Sequence, residues 1–305
     1  MKKDFISIAD WSSSELNDLL DLSFKLKSYP ANYNRALEGK SIAMIFEKQS
    51  LRTHVTFDIG IYQLGGHSVY LTQADINLGK RESLYDVSKN LERWTDGVII
   101  RTFAHQNCVD MAVYMKVPVI NALTDTEHPC QALADFMTIK ERFGDFKNRK
   151  FVFVGDGNNV CHSLMLMAAK LGMDFVATTP EGYEPDSKII GEAERAAKLS
   201  GASVDIVNDP RKAVENADVV YTDVWTSMGQ EREREARLVA FHDFQVNASL
   251  MRLAKSSAIF MHCLPAHRGE EVTDDVIDSG QSVVWDESEN RLHTEKAILY
   301  TLLHG

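Results

Sequence analysis

The 305-residue sequence lacks any long apolar run. No stretch approaches the roughly 20 consecutive apolar residues that a helix needs to cross a bilayer. The first four residues, Met1 to Asp4, include two lysines and an aspartate, and no apolar core of a secretory signal follows them. We therefore expect a cytoplasmic protein without a membrane-spanning segment.

Cysteine and positive charge are also scarce. The four cysteines, Cys108, Cys130, Cys161 and Cys263, lie far apart and show no C-x-x-C spacing, so neither a disulfide framework nor a structural zinc site is predicted. Lysine and arginine number 33 against 44 aspartates and glutamates, which gives a net charge of −11. That balance opposes binding to nucleic acid or to an anionic membrane. Any anion site must therefore be a local pocket.

The sequence does contain enough apolar material for two domains. Apolar residues make up 44% of the chain, and this length suits two cores of about 150 residues each. A capping box at Ser12 and Glu15 predicts a first helix that ends near Pro30, and a strong helix is predicted from Pro129 to Phe143. Short apolar runs predict strands at residues 42–46, 68–71, 98–100, 117–120, 151–154, 175–178, 203–206, 219–222, 259–262 and 283–285.

These runs alternate with amphipathic stretches, a pattern typical of parallel sheets whose strands are joined by crossover helices. The predicted fold class is α/β, with two doubly wound, Rossmann-like parallel-sheet domains joined by helices. We place these domains at residues 1–145 and 146–286, with the boundary near residues 143–150. A last helix within residues 287–305 has the length and apolar spacing to pack back on the first domain.

Polar clusters follow several predicted strands, at the edge where open parallel sheets bind ligands. Residues 50–53, Ser-Leu-Arg-Thr, follow the first strand and open a predicted helix. Free N–H groups at a helix start, two hydroxyls and a guanidinium suit a phosphate, although Ser and Thr there are more often simple helix caps. Arg101 follows the strand at residues 98–100 and could join Arg52 on one phosphate, or it could form a surface ion pair.

Two further clusters suit a carbonyl group and an amino-acid head group. His128 precedes a predicted helix and Gln131 lies in its first turn, so they could polarise a carbonyl and orient an amide, or be a cap and a solvated side chain. The turn at residues 155–159 resembles a dinucleotide-binding turn, but His162 replaces its third glycine, so a dinucleotide is not expected. Asn159 instead suits an amino-acid head group.

The second half of the chain carries a carboxylate and a thiol at strand ends. Asp223 lies in a predicted loop after a strand and could bind an ammonium group, whereas the charged run that follows is interpreted as solvated. Cys263 could be a thiolate nucleophile with His262 or His267 as its base. Because neighbouring side chains on a strand point to opposite faces, His262 is poorly placed for that role, and covalent catalysis is not favoured.

Taken together, these motifs resemble the aspartate and ornithine carbamoyltransferase family over nearly the whole chain. Residues 50–54 are similar to its Ser-Thr-Arg-Thr-Arg phosphate grip, and residues 128–131 match its His-Pro-x-Gln. The resemblance to the ornithine branch rests on Asp223, on Ser-Met-Gly at 227–229, on His-Cys-Leu-Pro at 262–265 and on Asn-Arg-Leu-His at 290–293. The resemblance implies transfer of the carbamoyl group of carbamoyl phosphate to the δ-amine of L-ornithine, giving L-citrulline and phosphate in arginine metabolism.

The resemblance also implies partners and site residues. It implies no metal or cofactor, and a homo-oligomer that is a trimer or a multiple of trimers with sites at subunit interfaces. The first domain is expected to bind carbamoyl phosphate, and the second to bind ornithine. The expected carbamoyl-phosphate residues are Ser50, Leu51, Arg52, Thr53, Asn77, Arg101, His128, Gln131, Cys263, Leu264 and Arg291. Catalysis is expected from Arg52, Arg101, His128, Gln131 and Cys263. The expected ornithine residues are Asn159, Asp223, Ser227 and Met228.

Three positions depart from the family pattern. Leu51 and His54 stand where the family has Thr and Arg, and Asn77 replaces the usual Gln of a loop that reaches toward a neighbouring site. The rest of the phosphate grip is intact, so we expect activity to persist. Two alternatives stay open. One is a carbamoyltransferase for putrescine or an N-acylated ornithine, which Asp223 argues against, and the other is a catalytically weak binding or regulatory protein with the same fold.

Overall fold

The computed structural model describes residues 2–76 and 81–304. The chain divides into two compact units, Met1–Met137 with Glu289–Gly305, and Thr138–Ser288. Two helices, α6 (Pro129–Phe143) and α13 (Val284–Leu303), each contain a boundary between the units. None of the helices in the described ranges combines the length and apolar character that a bilayer span requires.

The first unit is built on a four-stranded parallel sheet with the strand order β2-β1-β3-β4. Its core forms where Ala43, Ile45, Val98 and Ile100 of the sheet pack with apolar residues of the helices, among them Met111. The unit includes the start of α6 and the end of α13. Its other elements are α1 (Ser13–Ser28), β1 (Ser41–Phe46), α2 (Arg52–Gln63), β2 (His67–Thr72), α3 (Gln73–Ile76), α4 (Leu84–Trp94), β3 (Gly97–Arg101), α5 (His105–Tyr114) and β4 (Val119–Leu123).

The second unit is built on a five-stranded parallel sheet with the strand order β7-β6-β5-β8-β9. Val152, Val154, Val220 and Phe260 of the sheet pack in one buried cluster with Phe241. Its elements are β5 (Lys150–Val154), α7 (Asn159–Leu171), β6 (Asp174–Thr178), α8 (Ser187–Ser200), β7 (Val204–Val207), α9 (Pro210–Val214), β8 (Val219–Thr222), α10 (Arg234–Ala240), α11 (Ala248–Met251), β9 (Ile259–Met261) and α12 (Asp274–Ile277). Two parallel sheets with interleaved helices confirm the predicted α/β class.

One predicted strand is wrong. Residues 284 and 285 belong to helix α13, and the chain touches the sheet only briefly before it. Ser282 forms a bridge with Phe260, and the backbone N–H of Val283 donates to the carbonyl of Phe260 at 3.0 Å. Asp286 and Glu287 then occupy the first helical turn, where the helix dipole favours acidic side chains. Three apolar residues are too few to distinguish a strand from the first turn of a buried helix.

The strand order of each sheet reverses at one place, and that place positions the site. Because β1 lies between β2 and β3, the connections after β1 and β3 run in opposite directions and leave a crevice at the carboxyl ends of these strands. Phe46 at the end of β1 is the register partner of Arg101 at the end of β3. The same reversal lies between β5 and β8, where Val154 pairs with Thr222. The predicted polar clusters follow these strands.

Candidate active site

The loop between β1 and α2 begins the site in the first unit. The hydroxyl of Ser50 accepts a hydrogen bond from the backbone N–H of Thr53 at 3.2 Å, so it satisfies one N–H of the first turn, while Leu51 occupies the N-cap position without a side-chain bond. Leu51 is 71% exposed, whereas Thr53 is buried. The dipole at this helix start favours a negative charge. Capping and anion binding are compatible here, because the first turn of a helix has several free N–H groups and one can be capped while others bind an anion.

Arg291 of α13 joins this helix start to two other elements. Its guanidinium donates to Oε1 of Gln131 at 2.6 Å, to Oγ1 of Thr53 at 2.9 Å and to the carboxylate of Glu295 at 2.6 Å. Gln131 in turn donates to Oδ1 of Asp135 at 2.8 Å. Arg291 and Gln131 are both 2% exposed, so the solvated-side-chain alternative for Gln131 is wrong. Three predicted donor residues therefore share one buried network.

His128 lies at the centre of a cluster of cations. Its pKa is held well below the usual value, first by burial and then by the positive charges of Arg291, Arg101, Arg52 and Lys48. The imidazole is therefore neutral at pH 7. Arg101 is also buried, which rules out the alternative of an exposed surface pair. The first unit thus gathers four positive charges within electrostatic reach of one neutral imidazole.

The buried neutral state of His128 predicts a specific pH dependence of stability. A group whose pKa is lowered in the folded state binds fewer protons there than in the unfolded chain, so the free energy of unfolding falls as pH drops below about 6.5. For His128 this loss is at most about 1.4 kcal/mol per pH unit. Urea denaturation between pH 4.5 and 7.5 should show a shallower acid loss for His128→Gln than for the wild type. Equal slopes in the two proteins would contradict a neutral, buried His128.

In the described part of the chain, the side chain of His54 forms no ion pair or hydrogen bond, and its ring stacks on Tyr70. The two ring centroids lie 3.8 Å apart with an interplanar angle of 13°. Tyr70 also lines an open cavity of about 710 Å³ together with Ser50 and Leu51. At position 54, an imidazole stacked on a tyrosine therefore stands where the family has an arginine. The predicted residue Asn77 lies outside the described residues.

Asp223 forms the centre of the cluster in the second unit. It follows β8 and is buried, and its Oδ2 accepts from the side-chain amide of Asn158 at 2.8 Å. Its Oδ1 accepts from the thiol of Cys263 at 3.1 Å. Asn158 also caps α7, because its side-chain oxygen accepts from the N–H groups of Val160 and Cys161. A carboxylate, an amide and a thiol thus meet at the reversal point of this sheet.

The two asparagines at the start of α7 hold different positions, and the predicted contact of Asn159 with ornithine stays a prediction. Asn159 is the first residue of α7, one position beyond the cap. The hydrogen bond to Asp223 comes from Asn158, which the sequence interpretation missed. The preference of asparagine for the cap position was the signal that could have identified it.

The predicted residues Ser227 and Met228 lie in the loop that follows Asp223. The backbone N–H of Ser227 donates to Oε1 of Gln230 at 3.1 Å, and Met228 is 47% exposed. Within the described ranges, no hydrogen bond joins either residue to Asp223. The contact of these two residues with ornithine therefore remains a prediction.

Cys263 and His262 directly follow β9 and face different partners. Nδ1 of His262 accepts from the backbone N–H of Leu264 at 2.8 Å, so Nε2 carries the proton toward Glu271 at 3.2 Å. The sulfur of Cys263 faces Asp223. Ligand-type atoms of Asp223, His262 and Cys263 lie within 4.8 Å of one another. Because both ring nitrogens of His262 are engaged, only two of the three could bind a metal without rearrangement.

The chain belongs to the aspartate/ornithine carbamoyltransferase family. Residues 3–141 match the family's carbamoyl-P binding domain, and residues 147–302 match its Asp/Orn binding domain. The class defined by the fold and the two clusters is therefore a carbamoyltransferase.

Similar proteins point to the ornithine branch. The ornithine carbamoyltransferase of Pyrococcus horikoshii is 53% identical over 305 positions, covering 99% of this chain and 96% of that protein. The anabolic ornithine carbamoyltransferase of Pyrococcus furiosus is 52% identical, with 99% and 97% covered. The solved structure of ornithine carbamoyltransferase from Pyrococcus furiosus matches with a TM-score of 0.96 at 51% identity, covering 99% of this chain and 97% of that one.

Proposed function

We propose that this chain transfers the carbamoyl group of carbamoyl phosphate to the δ-amine of L-ornithine, forming L-citrulline and phosphate. The observation that carries the proposal is full-length similarity, at about half identity, to proteins named ornithine carbamoyltransferase. The charges of the two clusters support it, because one is cationic and the other is built around a carboxylate. A relative named anabolic supports a role in arginine biosynthesis.

The cationic cluster of the first unit is the proposed site for the donor. The first turn of α2, with Ser50, Leu51, Arg52 and Thr53, and the guanidinium of Arg101 are proposed to bind the phosphate, since charge-assisted bonds are the strongest that a small anion can make. The neutral imidazole of His128 and the amide of Gln131 are proposed to bind the carbamoyl group, with Arg291 holding Gln131 in place. The roles of Asn77, Cys263 and Leu264 toward the donor stay predictions.

The carboxylate cluster of the second unit is the proposed site for ornithine. Asp223 is proposed to bind the α-ammonium group, and Asn158 fixes the carboxylate from the other side. Cys263 contacts the second oxygen of Asp223 and is proposed to lie beside the δ-amine. We retain Asn159, Ser227 and Met228 as proposed contacts for the carboxylate end of ornithine.

The chemistry requires a neutral amine and a stabilised leaving group. An alkyl ammonium with a pKa near 10.4 is neutral in about one molecule in a thousand at pH 7, which costs roughly 4 to 5 kcal/mol. The lone pair of the δ-nitrogen forms the new C–N bond, the C–O bond to phosphate breaks, and the proton that the nitrogen gives up goes to the departing phosphate. His128 and Arg52 are proposed to stabilise the oxyanion, and Arg101 is proposed to stabilise the departing phosphate. Catalysis is then chiefly positioning and electrostatics.

We also propose that the chain forms a homo-oligomer, a trimer or a multiple of trimers. Helix α2 exposes an apolar stripe spaced by one turn, formed by Leu51, Val55, Ile59 and Tyr62, with exposed fractions of 71%, 42%, 41% and 80%. Contiguous exposed apolar residues of this kind mark association surfaces. Light scattering should give a mass that is a multiple of three chains. A monomer would contradict the proposal.

The four free cysteines support a cytoplasmic location.

One assay separates the proposed function from its rivals. Purified protein with carbamoyl phosphate is offered ornithine, putrescine, N-acetylornithine and aspartate side by side, and carbamoylated product and phosphate are measured. We expect ornithine to be the preferred acceptor, because the carboxylate of Asp223 matches a free α-ammonium that putrescine lacks and acetylation blocks. A preference for either of those acceptors would overturn the substrate. Binding of carbamoyl phosphate without turnover would indicate a binding protein.

A further inference from the structure

A cavity of about 350 Å³ lies in the first unit, between the end of α1, the end of α2 and helix α13. Its walls carry Lys27 of α1, and His293 and Lys296 of α13. On a helix, positions 293 and 296 are turned about 200° and 140° away from Arg291, which belongs to the proposed donor site. None of the described donor residues lines this cavity. It is therefore a separate site.

Lys296 is a buried cation that has no anionic partner in the described part of the chain. It is 2% exposed, and burial lowers the pKa of its ammonium. Its Nζ donates to the side-chain oxygen of Gln63, the last residue of α2, at 2.9 Å. Across residues 2–76 and 81–304, no carboxylate forms an ion pair with it. Such a charge is costly to bury unless an anion compensates it.

The stem of Lys296 is held against α2, so its ammonium is fixed at the wall of the cavity. A methyl group added at Gly60 of α2 would lie 3.2 Å from Cγ of Lys296 and 3.6 Å from Cδ1 of Leu292. The two helices can therefore approach closely here because position 60 carries no side chain. The bond to Gln63 then fixes the end of the lysine beside the end of α2.

The other charged groups leave the cavity with an excess of positive charge. Nζ of Lys27 and Nε2 of His293 lie 3.6 and 3.5 Å from the carboxylate of Glu289, whose side chain is 55% exposed. Burial, and then the charges of Lys296 and Lys27, lower the pKa of His293 to about 4, so its imidazole is neutral at pH 7. One exposed carboxylate thus stands against two ammonium groups.

The remaining walls indicate what kind of anion fits. A volume of about 350 Å³ is near the lower end of the range of small-ligand pockets, about 300 to 1,000 Å³. Most of the other lining residues are apolar, among them Leu26, Pro30, Ala31, Leu64 and Leu292. A ligand with one anionic head and a small apolar body matches these walls better than an inorganic ion does.

We infer that this cavity binds a small organic anion, whose carboxylate or phosphate head pairs with the ammonium of Lys296 and whose body lies against the apolar walls. The inference goes beyond the proposed function and does not depend on it, because its test measures binding and not turnover. The competing explanation is structural: Lys296 could serve only to join α13 to α2 through Gln63.

Three probes with one aromatic ring and different heads test the inference: benzoate, phenyl phosphate and the uncharged benzyl alcohol. Their dissociation constants are measured by titration calorimetry, with and without saturating carbamoyl phosphate to occupy the donor site. Lys296→Met removes the buried charge at similar length, and Lys27→Met removes the second ammonium. Lys25→Met is the matched control, because Lys25 is exposed on the same helix as Lys27 and lies outside the cavity.

The wild type should bind at least one of the two anions, in the presence of carbamoyl phosphate, and should bind benzyl alcohol at least tenfold more weakly. Lys296→Met should weaken anion binding by about ten- to a hundredfold, the value of one charge-assisted hydrogen bond. Lys27→Met should have a smaller effect in the same direction, because Glu289 already pairs with that lysine. Lys25→Met should match the wild type. The thermal midpoint of Lys296→Met without a probe should not fall, since the substitution removes an uncompensated buried charge.

Four results would overturn the inference. They are equal binding of benzyl alcohol, anion binding that survives Lys296→Met, anion binding that carbamoyl phosphate abolishes, and a lower thermal midpoint of Lys296→Met in a protein whose wild type binds neither anion. The last result would support the structural explanation. Failure of the proposed function would appear separately, as absence of citrulline from the wild type.

Discussion

Replacing Arg291 with methionine is expected to raise the KM for carbamoyl phosphate more than about a hundredfold and to lower the free energy of unfolding by about 3 to 5 kcal/mol. Arg291 is fully enclosed and donates to Gln131, Thr53 and Glu295. Its loss leaves Glu295, whose pKa is raised to about 7 by burial, without this guanidinium, and leaves the acceptor atoms of Gln131 and Thr53 without this donor. Both changes account for the stability effect. The substitution also frees the side chains that shape the donor site. Steady-state kinetics and urea denaturation measure the two effects.

The two effects can be separated by a second substitution. In Arg291→Met with Glu295→Gln, the buried negative charge is gone, so most of the lost stability should return. The KM for carbamoyl phosphate should stay high, because Gln131 and Thr53 still lack their partner. Arg291→Lys keeps the charge but cannot reach three side chains at once, so it should fall between the two. Recovery of normal donor binding in the double variant would mean that Arg291 matters only for stability.

Asp223→Asn is expected to lower kcat/KM for ornithine by about a hundred- to a thousandfold, because the variant keeps the shape of the side chain and loses its charge for the α-ammonium. The KM for carbamoyl phosphate should hardly change. The variant should also lose most of its preference for ornithine over putrescine, which carries no α-ammonium. Product formation with the two acceptors, measured on wild type and variant, checks this. A preserved preference would show that Asp223 does not bind the α-ammonium.

Asp218→Asn is the matched control for this prediction. Asp218 immediately precedes the opposite end of the same strand and is equally buried. Its carboxylate accepts from the backbone N–H of Lys150 at 2.9 Å and from the ammonium of Lys255 at 2.7 Å. Its substitution should lower stability and leave the acceptor preference unchanged. If both variants lose the preference equally, the effect would belong to the sheet and not to the site.

The sequence predicted the parts of this protein that depend on short-range pattern. Alternating apolar runs and amphipathic stretches led to two parallel sheets, and the polar residues after those runs led to the clusters. Details that depend on one residue or on distant contacts could not be predicted. Asn158 and Asn159 are both plausible helix starts, and only the folded backbone shows that Asn158 takes the cap position and donates to Asp223. The bond between Arg291 and Thr53 joins residues 238 positions apart.

Residues 283–285 illustrate a different limit, because a local pattern was present there but was ambiguous between strand and helix.

The bond between Ser50 and the N–H of Thr53 has a consequence for how the donor grip tolerates change. The hydroxyl of Ser50 already has a partner before any ligand arrives, so it exchanges one partner for another on binding and gains little, about 0.5 to 1.5 kcal/mol. Guanidinium and ammonium groups gain about 1.5 to 3 kcal/mol each from a charged ligand. A phosphate site of this kind recognises its ligand more by charge than by the number of hydroxyl groups that contact it. A leucine at position 51 is then a small loss, and a donor with an uncharged leaving group is a poor substrate.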